Sequence, residues 1–169
     1  YKVLRKKIEF KNSKIKNKIL FGIPTFCRSD GLNEKSINYF ADVILKFLKN
    51  FPNEKVIIRL HPDGLSNKII FNKIPKNKNI EFHLPQEKSL KDSFAGSKIS
   101  CFIIGSSLIT DSINYLCFPV ILKLGKLDPI DFSGLKKHKI AHISDTYLDF
   151  KNKISNLITN KKKFQSKQK

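Results

Sequence analysis

The chain has 169 residues, 40% of them hydrophobic, with 33 Lys and Arg against 14 Asp and Glu and a formal net charge of +19. That length suits one domain able to bury a proper core. No stretch reaches the ~18 uncharged apolar residues needed to span a bilayer, no signal-peptide core follows the basic start, and Cys27, Cys101 and Cys117 lack the number and spacing of a disulfide framework or zinc site.

These features predict a soluble protein of a reducing, intracellular compartment, and the missing initiator Met reads as a piece of a longer protein. The charge invites a nucleic-acid interpretation, because clustered cations release counterions from phosphates. Yet only Arg5, Arg28 and Arg59 are arginines, and Ile and Asn are also heavily used. That mixture favours biased codon usage spread over a solvated surface above a selected basic patch. The charge is densest in a basic lead or linker, residues 1–17, and a basic tail, residues 161–169, around a folded region at 18–160. Such ends suit peripheral contact with an anionic membrane. No specific nucleic-acid motif accompanies them.

The first convincing strand covers 19–24 and leads into a loop, Thr25 to Gly31. Ile37, Phe40, Ala41, Ile44, Leu45, Phe47 and Leu48 then recur at spacings of three and four, with Pro52 just beyond, which predicts a helix. Residues 55–60 form a second strand, 66–73 a short helix and 79–83 a third strand. A helix over 87–95 ends at Gly96, and 99–104 is a strand buried on both faces. A helix over 107–117 stops before Pro119, strands follow at 119–124 and 140–143, and 147–158 is a closing amphipathic helix. This alternation predicts an α/β domain of three layers, Rossmann-like, with right-handed crossovers and a mostly parallel sheet.

Arg59-Leu60-His61-Pro62 ends the second strand, and Gly105-Ser106-Ser107 follows the strand at 99–104. The carboxyl edge of a parallel sheet is where α/β proteins hold ligands. The serine turn offers helix-start amides and two hydroxyls to a phosphate, and Asp111, one turn beyond Ser107, faces the same side and could accept from ribose hydroxyls. The alternative is that Ser107 caps the helix and Asp111 complements its dipole. An imidazole at His61 could stabilise the charge on a departing phosphate; by itself, a lone His there is more often structural. Arg59 shares a strand face with His61, either to support an anion or to pair with a nearby carboxylate in the core.

A Cys27–His61 nucleophilic pair is the weakest candidate, Asp30-Gly31 reads as a turn, and neither a P-loop nor a GxGxxG is present. Asp128 and Asp131 do not make a convincing metal pair, and His83, His138 and His142 lack partners at ligand spacing, so no metal site is expected.

Arg59-Leu60-His61-Pro62 resembles the HP motif of bacterial sialyltransferases, polysialyltransferases and related capsule or surface-polysaccharide glycosyltransferases, and Ser106-Ser107 resembles their downstream serine motif. Gly105 to Ile121 is also similar to the glycine-serine-serine, acidic, proline-valine segment in the nucleotide-binding half of GT-B glycosyltransferases, with Asp111 where a Glu is usual.

The resemblance spans roughly 18–124 and implies one half of a GT-B architecture. It assigns donor-phosphate contact to His61, the catalytic candidate, and phosphate binding to Ser106 and Ser107, with Asp111 towards ribose; Arg59, Pro62 and Gly105, which flank them, complete the candidate phosphate-binding set. It further implies no cofactor or metal, a CMP-linked donor first with UDP- or CDP-linked donors open, and a glycan acceptor held by a missing N-terminal domain. The acidic-acidic-glycine motif of the group is absent, since Ser29-Asp30-Gly31 differs in context, so the isolated chain is expected to bind donor without transferring sugar. Rival expectations are a non-enzymatic basic module for RNA or anionic membrane and a sugar-nucleotide epimerase-like domain. The compartment implied is the cytoplasm, at the inner face of the membrane.

Overall fold

The computed structural model describes residues 17–25, 32–62, 64–103, 106–124, 135 and 138–159. The basic lead at 1–16, the loop at 26–31 with Cys27 and Asp30, Gly105, the pair Asp128 and Asp131, and the tail from 160 lie outside them.

In chain order the elements are β1 (Lys18–Gly22), α1 (Glu34–Asn50), β2 (Lys55–Arg59), α2 (Leu65–Lys73), β3 (Ile80–His83), α3 (Leu90–Ala95), β4 (Ser97–Ile103), α4 (Leu108–Asn114), β5 (Phe118–Leu122), β6 (His142–Ser144) and α5 (Tyr147–Thr159). The six strands form one sheet in the order β3-β2-β1-β4-β5-β6, and every pairing is parallel. This is the α/β, Rossmann-like layout that the alternating pattern predicts.

Right-handed crossovers running outward in opposite directions from β1 must put their helices on opposite faces. Accordingly, Phe40, Ile44, Phe47, Ile70, Phe150 and Ile154 of α1, α2 and α5 pack with Phe21, Ile58 and Cys101 on one face. Phe94 of α3 and Ile109 of α4 pack with Leu20, Ile57, Phe102 and Ile121 on the other.

Helix α1 shows why its sequence folds locally. Asn33 accepts from the Ser36 N–H at its start, the apolar stripe faces the sheet, and Phe51 and Pro52 follow its end. Phe21 meets Phe47 with ring centres 5.2 Å apart, and burial of each such ring is worth roughly 1.5–3 kcal/mol. Pro119 fits inside β5 because pairing with β6 begins only at Val120, so the missing N–H is not needed on that side.

Helix α3 starts three residues later than the predicted 87, since Ser89 and Asp92 form a reciprocal capping box there. Helix α4 ends at Asn114 instead of 117, because Leu116 takes a left-handed conformation at φ 56° and Cys117 turns inward, its thiol donating to the Ser97 carbonyl at 3.0 Å. Among the described residues no helix is long and apolar enough to cross a membrane.

Candidate functional site at the carboxyl edge of the sheet

Strand order reverses between β1 and β4, and in such sheets the crevice beyond the carboxyl ends at this point is where ligands bind. Strands β2 and β4 are the two neighbours of β1. The segments that follow them, carrying His61 and Ser106-Ser107, therefore leave the sheet on either side of one strand, from backbones about 10 Å apart at the usual strand spacing. The structure thus brings the two sequence motifs to the same edge.

Gly22, the last residue of β1, sets how closely the serine side approaches. A methyl group there would lie 2.9 Å from Leu108 Cδ1 and 2.6 Å from the Phe102 ring. Only glycine leaves room for the start of α4 to lie over the end of β1. Ser106 is buried and its carbonyl accepts from the Ile109 N–H at 3.2 Å, whereas Ser107 is exposed. The Ser107 side chain makes no capping hydrogen bond, so the helix-cap alternative does not hold for it. Asp111 is half-buried in the first turn of α4. At seven residues, α4 carries a short dipole, which leaves more of any anion binding to hydroxyls.

On the other side, the main chain is tied almost to its last residue. The Ile23 N–H donates to the Arg59 carbonyl at 2.9 Å, and the Leu60 N–H to the His83 carbonyl at 3.0 Å. His61, half-buried, is then gripped through its backbone by Asn67: its N–H donates to Asn67 Oδ1 at 3.0 Å, and Asn67 Nδ2 donates to its carbonyl at 2.6 Å. Pro62 is exposed. Gly64 enters α2 with a left-handed φ of 75° and brings no capping side chain, and no acidic residue occupies the first turn.

Arg59 ends β2 at this edge, beside Gly22 and His83, but its side chain is engaged by the start of α3. Its buried guanidinium donates to the carbonyls of Lys88 and Ser89 and to Ser93 Oγ at 3.2 Å, so it ties the start of α3 to the sheet. Desolvation pulls its pKa below the ordinary arginine value, with Asp92 opposing. Ser93 Oγ also meets His83 Nδ1 at 3.0 Å, His83 Nε2 faces Glu81 at 3.4 Å, and Glu81 is ion-paired with Lys18 at 2.6 Å. Burial lowers the His83 pKa, with Glu81 pulling the other way. The predicted alternative of a direct core carboxylate partner for Arg59 is met instead by carbonyls and a hydroxyl.

Among the described residues no group of three or more His, Cys, Asp or Glu side chains clusters as metal ligands. His138 is exposed and His142 pairs with Asp149 at 3.0 Å. Cys101 is fully buried, and desolvation raises its thiol pKa well above the usual value, the opposite of what a nucleophile needs.

Asn67, Gly64, Gly22 and the His83–Ser93 pair are the residues that motif reasoning missed. A glycine ending a strand and a second glycine two residues past a proline were the visible signals. The target of the Asn67 side chain carries no signal in the sequence. Neither comparison with protein-family models nor comparison with curated proteins gives a match to this chain.

Proposed function

We propose that this chain is the nucleotide-sugar-binding half of an inverting, metal-independent glycosyltransferase for bacterial surface polysaccharide. The single observation that carries the proposal is the strand order β3-β2-β1-β4, which flanks one strand end with an imidazole-bearing loop and a hydroxyl-bearing turn. A phosphate is the chemical group that both recognise. His61 would contact the donor phosphate and stabilise the leaving nucleotide, Ser106 and Ser107 would donate to the same phosphate region, and Asp111 would accept from ribose. In the complete enzyme an acceptor hydroxyl, deprotonated by a base on the other half, attacks the anomeric carbon. The donor proposed first is CMP-linked, with UDP- and CDP-linked donors as alternatives, and the place of action is the cytoplasmic face of the membrane.

Titration calorimetry with CMP, UDP and CDP tests this. Binding of at least one nucleotide is expected, weakened about tenfold or more, equivalent to ~1.4 kcal/mol, by His61→Ala and by the Ser106→Ala/Ser107→Ala double variant. Absence of binding, or indifference to both changes, overturns the proposal. Tight RNA binding that falls steeply with salt and ignores these substitutions would establish the basic-module alternative. Robust sugar transfer by the isolated chain would show that no second half is needed.

A further inference from the structure

Asn67 turns both the oxygen and the nitrogen of its carboxamide to one residue. Its side-chain oxygen takes the His61 N–H at 3.0 Å and its nitrogen gives to the His61 carbonyl at 2.6 Å. A carboxamide presents one donor and one acceptor side by side, as a peptide group does, so this pairing repeats across a loop what a neighbouring strand would do. Holding the N–H and C=O of the same residue restrains both its φ and ψ, and hence the direction of its Cα–Cβ bond.

Pro62 adds to the restraint, because a residue before proline is confined to extended conformations. Backbone bonds tie residues 59 and 60 to the segments of β1 and β3. Asn67 takes over at the next residue, the one that bears the imidazole.

Burial of a carboxamide costs free energy unless both its functions are satisfied, and Asn67 is only 7% exposed. The left-handed entry at Gly64 into α2 needs no such group. We infer that Asn67 is a positioning residue, which aims the His61 side chain at the phosphate of the bound nucleotide. The inference rests on His61 being a phosphate contact, as proposed above.

The test is a double-mutant cycle with CMP, UDP or CDP, whichever binds the wild type most tightly, on Asn67→Ser, His61→Ala and the pair. Both substitutions at position 67 and 61 are neutral or remove only the imidazole, so no new charge confuses the result. Asn67→Ser is expected to weaken binding about fivefold when His61 is present and less than twofold when it is alanine, as coupling through His61 requires. Equal losses in both backgrounds, or none, overturn the inference.

Imidazole NMR separates this from failure of the functional proposal. Should no nucleotide bind, that proposal falls, and Asn67 is judged by the ring resonances of His61, expected to shift in Asn67→Ser while those of His142 stay; unmoved His61 signals overturn its role. Should Asn67→Ser fail to fold, amide exchange on the wild-type chain decides: a His61 N–H protected from exchange supports the clamp, and one exchanging at the unprotected rate refutes it.

Discussion

Leu108, which begins α4, packs directly on Gly22, which ends β1, so closely that a methyl group on Gly22 would stand 2.9 Å from its Cδ1. The Phe102 ring closes the same space at 2.6 and 2.7 Å and is fully buried. Gly22→Ala therefore cannot be absorbed without moving the start of α4 or repacking the ring. A loss of about 1–3 kcal/mol is expected in urea unfolding. Nucleotide affinity is expected to fall as well, because the segment displaced carries Ser106 and Ser107. Unchanged stability and affinity would mean that α4 does not depend on this contact.

Arg59 is expected to behave as a structural residue. Its terminal Nη1, one atom farther from the backbone than a lysine ammonium, serves the Lys88 and Ser89 carbonyls and the Ser93 hydroxyl together. Arg59→Lys should cost about 2–3 kcal/mol by urea unfolding, since buried acceptors are left short of a donor. In the folded variant nucleotide affinity should fall far less than in His61→Ala. An equal fall would restore Arg59 to the phosphate site that the sequence motif suggests.

These two arginine and glycine contacts mark the boundary of what the sequence discloses. Strand β2 is legible because Val56, Ile57 and Ile58 form an apolar run closed by Pro62, and α1 because its apolar residues keep helical spacing from Ile37 to Leu48, about three turns. Period two predicts one strand face for Arg59 and His61, yet whether a residue on that face meets α3 or the crevice depends on strand order and crossover hand, which are set by the whole sheet. The end of α4 escapes for a different reason. Helical spacing continues to Cys117, and the left-handed turn at Leu116 arises only because the chain must reverse at once into β5.

The start of α3 offers a more local check. Ser89 Oγ accepts from the Asp92 N–H at 3.1 Å while the Asp92 carboxylate accepts from the Ser89 N–H at 3.1 Å. Ser89→Ala removes one half of this exchange and should cost about 1 kcal/mol. Because the Ser89 carbonyl still receives Arg59 and the Ser93 N–H, helix α3 should remain docked. Circular dichroism and urea unfolding together would separate this modest loss from undocking of the helix.

Acid should destabilise the fold through the two neighbours His83 and Glu81. Burial holds the folded His83 below its ordinary pKa, despite the pull of Glu81, so near and below pH ~6.5 the unfolded chain binds more protons than the folded one. Stability is then complete above that pH and falls as pH drops towards the folded value. Glu81 acts in the same direction at lower pH: the hydrogen bonds from Lys18, at 2.6 and 2.8 Å, hold its carboxylate below the usual range, and their stabilising effect is lost as the carboxylate protonates. Arg59 and Lys18, both facing the imidazole, oppose its protonation further. The urea midpoint should therefore decline between about pH 7 and pH 5, and His83→Gln, which keeps a polar side chain without a titrating group, should flatten that decline. An identical slope in the variant would assign the acid sensitivity to groups other than His83.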